Sequence, residues 1–234
     1  MCGRFTLTDP DADLAVQFNL PEIPDLQPRY NIAPTQPVAA VRAVAEGTIR
    51  EMVMLRWGLI PFWAKDPKIG SRMINARSET VAEKPAFRAA FRRRRCLVVA
   101  DGFYEWQKTD GTKQPFYIHF RDAQPFAFAG LWEHWKGPDD RVIESCTLLT
   151  TQPNDLLRQV HNRMPVILQP KDYDLWLDPE IRNVKLLEPL LLPYPHEEMD
   201  AYPVSRYVNS PDNDTAKCIE PLPLQQELGS LSSD

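Results

Sequence analysis

The chain has 234 residues, of which 43% are hydrophobic and 25% charged, and its formal net charge is −5. This composition is that of a globular protein, and the length fits one large domain or two small ones. No apolar run approaches the ~20 residues of a membrane span. The N-terminus also lacks the basic and then apolar pattern of a signal peptide, so we expect a cytoplasmic protein without a membrane partner. A negative net charge argues against general nucleic-acid binding.

Positive charge is concentrated in one part of the sequence. Residues 72–95 include eight Lys and Arg residues against Glu79 and Glu83, whereas the sequence from residue 197 onward is mostly acidic. A local basic face on an acidic protein is compatible with a site for backbone phosphates. The arginine run at residues 92–95, taken alone, is more typical of a solvated helix end.

The cysteines do not form a pattern that indicates a metal or a disulfide framework. The four residues are Cys2, Cys96, Cys146 and Cys218, which lie far apart without paired spacing. The sequence also lacks a Gly-rich phosphate loop. We therefore expect no metal site and no cofactor.

The predicted elements are mainly short strands joined by turns. Strands are predicted over residues 38–44, 49–57, 96–100, 103–107, 116–120, 126–132 and 142–150, and helical segments follow the Asp9-Pro10 cap and lie at 85–93, 153–160, 171–177 and 180–192. Turn signals at residues 46–48 and at Asp110-Gly111 indicate hairpins, and hence mostly antiparallel pairing.

This element count favours an α+β fold with one sheet system or a distorted barrel and peripheral helices. There are no internal repeats and no low-complexity linker. We place a single mixed domain at residues 1–210 and expect residues 211–234 to form a loosely packed C-terminal tail.

The N-terminal sequence Met-Cys-Gly-Arg-Phe contains a potential nucleophile at its second position. Removal of Met1 would leave Cys2 with a free α-amine and a thiol, whose ordinary pKa values are ~7.7–8.0 and ~8.5. The amine can condense with an aldehyde to an imine, and the thiol can then close a five-membered thiazolidine. A chance cysteine after the start codon is an equally good explanation of the dipeptide alone. Arg4, close by, offers a forked anion donor.

Three further polar residues could assist such chemistry. Glu105 lies among aromatic residues, where a raised pKa would make it a general acid, although an outward-facing strand glutamate is the more common case. His161 lies between a helical turn and a strand, which suits a catalytic imidazole, although a lone histidine is more often structural. Thr150, at a strand end, could bond the same ligand.

The segment around residue 75 combines an amide, a guanidinium and nearby aromatic residues. Asn75 and Arg77 are two apart in a predicted extended segment and so share a face, which suits a phosphate or a sugar hydroxyl or, equally, an ordinary ion pair. In the preceding aromatic loop we expect Trp57 in the core and Trp63 exposed, where it could stack an unpaired base.

Six segments recur together in one known family. They are Met-Cys-Gly-Arg-Phe at 1–5, Arg-Tyr-Asn-Ile-Ala-Pro at 29–34, Arg-Trp-Gly-Leu-Ile-Pro-Phe-Trp at 56–63, Ile-Asn-Ala-Arg-Ser-Glu at 74–79, Asp-Gly-Phe-Tyr-Glu-Trp at 101–106 and His-Asn-Arg-Met-Pro at 161–165. In order and spacing they resemble the SOS-response-associated peptidase (SRAP) family of abasic-site-processing proteins, from residue 2 to about residue 209.

The resemblance implies a barrel-like β core and a positively charged channel for single-stranded DNA with abasic sites, including junctions with duplex. It implies a covalent thiazolidine between Cys2 and the ring-opened abasic deoxyribose, autoproteolytic removal of Met1, and abasic-site lyase activity. Asn75 would position Cys2 and the sugar, Glu105 would assist imine and ring chemistry, and His161 would shuttle protons. DNA binding is implied for Arg4, Trp63, Asn75, Arg77, Thr150 and Arg163. We expect a monomer that associates with damaged DNA in the nucleoid.

One position departs from the family, and two other functions stay open. Many relatives carry a second aromatic residue after Trp63, where this chain has Ala64, so base stacking at a junction would be weaker.

An N-terminal-nucleophile hydrolase, such as a glutamine amidotransferase, also begins Met-Cys-Gly but carries an Asn-Gly-Asp segment that is absent here. A non-catalytic single-strand binder would use Trp63 and the arginines and would leave Cys2 and Glu105 without a role.

Overall fold

The structure is a computed structural model that describes residues 2–9, 14–44, 49–109 and 111–223. Within these ranges the strands are β1 (Arg4–Leu7), β2 (Arg29–Ile32), β3 (Pro37–Val44), β4 (Ile49–Trp57), β5 (Asn75–Arg77), β6 (Arg95–Ala100), β7 (Gly102–Thr109), β8 (Thr112–Phe120), β9 (Phe126–Lys136), β10 (Val142–Thr151), β11 (Met164–Pro165), β12 (Ile167–Leu168) and β13 (Met199–Pro203). The α-helices are α1 (Leu14–Gln17), α2 (Arg88–Arg93), α3 (Asp155–Arg158) and α4 (Tyr173–Leu177).

Five of the strands close into a barrel. Strands β4, β3, β6 and β9 pair in that order, and β10 pairs with both β4 and β9, which completes the ring. Strands β5, β11 and β12 extend it. Among the described pairs, those of β10 with β4 and β5 are parallel and the others are antiparallel. The predicted α+β fold with a barrel-like, mostly antiparallel core is confirmed.

A second sheet, in the order β13, β8, β7, β1 and β2, contacts the barrel through aromatic side chains. Phe5 of β1 lies edge-on to Trp57 of β4 and Phe128 of β9, with ring centroids 5.1 and 5.6 Å apart. Phe103 of β7 contacts Phe128 in the same way at 6.0 Å. These buried edge-to-face contacts fix the N-terminal strand against the barrel.

Strand β6 is buried along its whole length, including its arginine. Arg95 donates hydrogen bonds to the carbonyl oxygens of Phe91, Trp176 and Asp178, and burial lowers its pKa to about 10. Its guanidinium therefore ties α2 and α4 to the barrel. Arg95 contributes nothing to the exposed basic face that the sequence suggested for residues 72–95.

Two glycines allow close packing beside the aromatic loop. Gly58 has a φ of +126°, and a Cβ atom there would lie 2.6 Å from the carbonyl oxygen of Gly70. A Cβ atom on Gly70 would in turn lie 2.5 Å from the carbonyl oxygen of Gly58. Side chains at either position would separate the two backbones, so this contact requires glycine and holds the aromatic loop next to the segment that leads into β5.

Several predicted helices are shorter in the structure than the sequence pattern suggested. The segment 180–192 contains only 3-10 turns at Val184–Leu186 and Glu188–Leu191, because Pro189 and Pro193 interrupt helical hydrogen bonding. Pro10, which follows the predicted cap Asp9, lies outside the described residues, as do the whole turn at 46–48 and Asp110. The hairpins they belong to are formed, since Val44 pairs with Ile49 and Thr109 with Thr112.

The segment after residue 210 is packed, in contrast to the loose tail that we expected. Asp214 accepts hydrogen bonds from the backbone N–H groups of Tyr30 and Asn31 at 2.5 and 2.9 Å and forms an ion pair with Arg29. Cys218 is fully buried. These contacts attach the chain to β2 beyond the boundary that composition indicated. Residues 224–234 lie outside the described part of the chain.

Candidate active site and nucleic-acid interface

Cys2 and Glu105 are brought together by the pairing of β1 with β7. Arg4 lies opposite Tyr104, so continuing the antiparallel register by one residue sets Gly3 opposite Glu105. Cys2 is fully buried and Glu105 is 2% exposed. The predicted nucleophile and the predicted acid are therefore neighbours at the end of one strand pair.

The C-terminal end of β1 is held by Asp101, the first residue of the Asp-Gly-Phe-Tyr-Glu-Trp segment. Its carboxylate accepts hydrogen bonds from the Thr6 hydroxyl at 2.5 Å, the Thr8 hydroxyl at 2.7 Å and the backbone N–H of Asp9 at 3.2 Å. One acidic residue thus fixes the strand whose N-terminal end carries Cys2. No role for Asp101 was predicted from the sequence pattern.

Burial changes the acid–base properties of both groups. It raises the pKa of Glu105 from an ordinary value of 4.5 to about 7. It also raises the pKa of the Cys2 thiol, and the charge of Glu105 raises that pKa further. The carboxyl group is consequently able to hold or release a proton near neutral pH, as a general acid requires.

Strand β10 positions the remaining predicted residues. Its Leu148 and Thr150 lie opposite Asn75 and Arg77 of β5, and on its other side Thr150 pairs with Pro165 of β11, directly after the His161–Arg163 segment. The fully buried Thr150 therefore lies between Arg77 and that segment.

Asn75 connects the barrel to the N-terminal segment. Its Nδ2 donates a hydrogen bond to the carbonyl oxygen of Cys2 at 2.7 Å. Its Oδ1 is buried and accepts no hydrogen bond from the described residues. A buried amide oxygen without a donor is costly, so this atom suits a donor from a ligand or from the N-terminal group.

Arg163 is engaged with protein groups. It forms a two-pronged ion pair with Glu79, at 2.5 and 2.9 Å, and donates to the carbonyl oxygen of Thr150 at 2.6 Å. Its side chain is 14% exposed, and this contact lowers the pKa of Glu79. A phosphate bound by Arg163 would have to compete with that carboxylate. Arg77, by contrast, is exposed.

The Arg4 guanidinium is also held within the protein. It donates to Asn31 Oδ1 and to the carbonyl oxygens of Val208 and Asn209, at 2.8, 2.8 and 3.1 Å. Asn31 in turn donates to the Val208 carbonyl at 3.1 Å. In this structure Arg4 attaches β1 to the C-terminal segment, and its predicted contact with DNA stays a prediction.

His161 has a defined hydrogen-bonding role. Its Nδ1 lies 3.1 Å from the backbone nitrogen of Arg163, which can only donate, and 3.3 Å from the carbonyl oxygen of the same residue. The shorter contact favours Nδ1 as an acceptor, with the ring proton on Nε2. Burial lowers its pKa, which favours the neutral imidazole. The ring presents Nε2–H as a donor.

Glu105 and His161 line the same cavity, of about 450 Å³. The remaining lining residues are Trp106, Lys108, Lys113 and Asn209. Lys108 and Lys113 lie directly opposite each other across the β7–β8 hairpin. Like charges in that arrangement repel, and an anion between them would offset the cost. Neither lysine was among the site residues predicted from the sequence.

The aromatic loop exposes two side chains next to each other. Trp57 is buried and donates to the Ile74 carbonyl at 2.9 Å, and Trp63 is 50% exposed, both as predicted. Phe62, which we had not singled out, is 61% exposed. Ala64 is nearly buried, and its carbonyl accepts from Trp135 Nε1 at 2.7 Å. The second exposed aromatic residue thus precedes Trp63.

A membrane-spanning helix and a metal-binding cluster are both absent from residues 2–9, 14–44, 49–109 and 111–223. No helix there is long and apolar enough to cross a membrane. No group of three or more His, Cys, Asp and Glu side chains in these ranges is arranged to hold a metal ion.

The fold and the site describe a protein that presents its second residue, a cysteine, beside a buried carboxyl group and a polar cavity. The sequence profile of the SOS response associated peptidase (SRAP) family matches residues 1–211. The chain belongs to this family, as its motifs indicated.

Related proteins of known sequence or structure include bacterial and vertebrate members. The abasic site processing protein YoqW of Bacillus subtilis is 45% identical, over 94% of this chain and 99% of its own length. The abasic site processing protein HMCES of Xenopus tropicalis is 32% identical, over 88% of this chain and 70% of its own. A crystal structure from Bacteroides thetaiotaomicron, 26% identical, superimposes with a TM-score of 0.84 over 94% of this chain and all of its own.

Proposed function

We propose that this protein captures abasic sites in single-stranded DNA by a covalent thiazolidine between Cys2 and the ring-opened deoxyribose. The observation that carries the proposal is the junction of Cys2, Glu105 and Asn75, with Glu105 lining the same cavity as His161. The names of the 45% and 32% identical relatives, abasic site processing proteins, support DNA with abasic sites as the substrate.

The first step is removal of Met1, which converts the Cys2 amide into a free amine. We propose that the protein removes this residue itself, with the Cys2 thiol as nucleophile and water completing the hydrolysis. Synthesis in a reconstituted translation system without methionine aminopeptidase tests this step. Wild type is expected to lose Met1 there, and Cys2→Ala is expected to keep it.

The second step joins the amine to the sugar. The Cys2 nitrogen attacks the C1′ aldehyde carbon, and the resulting hydroxyl leaves as water with a proton from the Glu105 carboxyl group. The pKa of Glu105, about 7, suits this donation. The Asn75 contact with the Cys2 carbonyl would orient the backbone during attack.

The third step closes the ring. The Cys2 sulfur adds to the imine carbon, the thiol proton passes to Glu105, and the ring nitrogen ends as an amine. No further water is lost, so the adduct has the mass of protein plus DNA minus one water. The raised pKa of the thiol means that its proton must be removed during attack, and the adjacent carboxylate is the available base.

The imine also has a competing fate. Loss of a C2′ proton would eliminate the 3′ phosphate and break the strand, which is the lyase reaction. Ring closure removes the imine, so a thiol on the same residue as the amine favours the crosslink. We assign proton donation at the deoxyribose to His161, because its Nε2–H can give a proton but cannot accept the one lost from C2′.

DNA binding is assigned to exposed groups around this junction. Arg77 and Trp63 are exposed, and the opposed Lys108 and Lys113 add positive charge at the cavity. Arg163 would join them by exchanging Glu79 for a phosphate, and Thr150 lies behind it. One strand with its bases unpaired fits an exposed tryptophan better than a duplex does.

A denaturing gel after incubation with an abasic oligonucleotide tests the proposal. Wild type is expected to give a heat-resistant adduct, and undamaged DNA of the same sequence none. Cys2→Ser, prepared with Met1 removed by methionine aminopeptidase, has the amine but no thiol, so its adduct is expected only after trapping with borohydride. A heat-resistant, untrapped adduct from Cys2→Ala would contradict the mechanism.

A further inference from the structure

A second cleft, of about 530 Å³, lies outside the site and has no part in the chemistry above. The aromatic loop, α2 and β9 form it, and its lining residues are Phe62, Ala89, Arg92, Arg93, Arg94, Glu133 and His134. It brings together two sequence features that the proposed function leaves unexplained, the arginine run and the phenylalanine before Trp63.

The charges in this cleft leave two guanidinium groups available. Arg94 pairs with the nearly buried Glu133 at 2.7 Å, which neutralises the carboxylate of the lining. Arg92 and Arg93 are exposed and form no ion pair with a described residue. Exposed, unpaired arginines on one side of a cleft favour an anion with several oxygen acceptors.

The other wall of the cleft is aromatic. Phe62 is 61% exposed and has no polar atom to interact with water. An exposed ring beside guanidinium groups is the combination that binds single-stranded nucleic acid, because the ring stacks an unpaired base while the cations bind the phosphate. A duplex, with its bases already stacked, would leave the ring uncovered.

The cleft lies within reach of a strand bound at Cys2. Glu133 and His134 are opposite Ser145 and Glu144 on β10, three to six residues along that strand from Leu148 and Thr150, where Asn75 and Arg77 pair. At about 3.3 Å per residue this offset is roughly 10–20 Å. Such a distance spans a few nucleotides of one strand.

We propose that this cleft binds an unpaired nucleotide a few positions from the abasic site, on the same strand. Its phosphate lies on Arg92 and Arg93 and its base stacks on Phe62. The inference rests on the proposed function for the identity of the ligand, single-stranded DNA. It extends that function by giving the protein a second contact that depends on strand length.

The test measures affinity for undamaged single strands of about 5 and about 20 nucleotides, which lie near the lower end of and above the ~4–16-nucleotide footprints of single-strand-binding folds. Arg92→Ala/Arg93→Ala is expected to weaken the long strand about tenfold and leave the short one unchanged. Phe62→Ala is expected to weaken the long strand about fivefold, the low end for one stacked base. In the double variant, the slope of the logarithm of the binding constant against the logarithm of the salt concentration should be smaller in magnitude by about 1.4, for two lost phosphate contacts.

The matched control is Arg88→Ala/Arg121→Ala, which removes two exposed arginines outside the cleft. It is expected to bind both strands like wild type, and equal melting temperatures show that all variants are folded. Equal losses in control and test variants, or losses only with duplex, overturn the inference. Crosslinking by wild type is measured separately, so that the two proposals can fail independently. If wild type crosslinks but the cleft variants bind DNA with full affinity, the cleft proposal is refuted and the proposed chemistry stands. If the cleft variants lose affinity but wild type does not crosslink, the proposed chemistry is refuted and the cleft proposal stands.

Discussion

The side-chain amide of Asn75 donates a hydrogen bond to the carbonyl oxygen of Cys2 across 2.7 Å. Asn75 begins β5, which pairs with β10 of the barrel, whereas Cys2 precedes β1 of the other sheet. The bond therefore joins the two sheets at the residue that carries the proposed chemistry. Because it contacts the backbone, it is preserved when the side chain at position 2 changes.

Substitution of Asn75 is expected to slow crosslinking. Asn75→Asp replaces the donor by an acceptor facing the Cys2 carbonyl, so the rate should fall about tenfold or more, in line with the ~1–3 kcal/mol cost of an unmade buried hydrogen bond. The measurement is the single-turnover crosslinking rate with DNA in excess. Arg77→Lys is the comparison, since it changes a neighbour on β5 without touching Cys2, and its rate at saturating DNA should stay near wild type. Equal rates for Asn75→Asp and wild type would remove Asn75 from the mechanism.

The crosslinking rate is expected to pass through a maximum between about pH 7 and pH 8. The rate rises as the α-amine, with a pKa of ~7.7–8.0, loses its proton, and it falls as Glu105, with a pKa of about 7, loses its own. Glu105→Gln should be slower and should lose the falling limb, because the amide does not titrate. A falling limb that persists in Glu105→Gln would assign it to another group.

Glu105 is also expected to make stability depend on pH. Its pKa is raised in the folded protein, from 4.5 to about 7, so its contribution is fully present below pH 4.5 and is lost as the pH rises through about 7. The difference corresponds to roughly 3 kcal/mol in the free energy of unfolding. Urea unfolding of wild type and Glu105→Gln at pH 5 and pH 8 measures it. The variant should gain stability relative to wild type at the higher pH, and a constant difference would show that Glu105 has an ordinary pKa.

Two of the arginines predicted to bind DNA, Arg4 and Arg77, are expected to differ in their effects on stability, because Arg4 is held within the protein and Arg77 is exposed. Arg4→Ala removes three hydrogen bonds and leaves Asn31 Oδ1 without its donor, so unfolding free energy should fall by roughly 1–3 kcal/mol. Arg77→Ala removes an exposed side chain, and stability should change by less than about 0.5 kcal/mol.

DNA affinity gives the complementary result for this pair. Arg77→Ala is expected to weaken binding of single strands and to reduce its salt dependence by about 0.7 in slope, for one phosphate contact. Thermal melting and fluorescence anisotropy measure the two effects on the same samples. An Arg4→Ala protein with unchanged melting temperature but weaker DNA binding would instead make Arg4 a phosphate ligand.

The sequence was sufficient for the fold class, but not for the contacts among the candidate site residues. Hairpin signals predicted antiparallel strands correctly, because two-residue turns and alternating apolar residues are local features. The closure of the barrel by β10 depends on parallel pairing with β4, between residues about ninety apart, and no local pattern encodes it. The contact of Cys2 with Asn75 likewise joins residues of two sheets that lie 73 positions apart, and no local pattern encodes it.

Contacts between residues that are distant in the sequence could not be predicted, whereas a contact set by a local turn could have been. Lys108 and Lys113 follow from the Asp110-Gly111 turn, since a two-residue loop fixes them opposite each other. The engagement of Arg4 by residues more than two hundred positions away has no signal in the sequence. Arg95 looked like its exposed neighbours because a charge run does not reveal which member enters the core.

The central claim is tested most directly by the intact mass of the protein before and after reaction with a single-stranded oligonucleotide carrying one abasic site. The account predicts a polypeptide without Met1, and then a species heavier by the oligonucleotide minus one water, with the added mass on the peptide that begins at Cys2. A polypeptide that keeps Met1 and still forms the adduct, or an adduct on any other peptide, would contradict it.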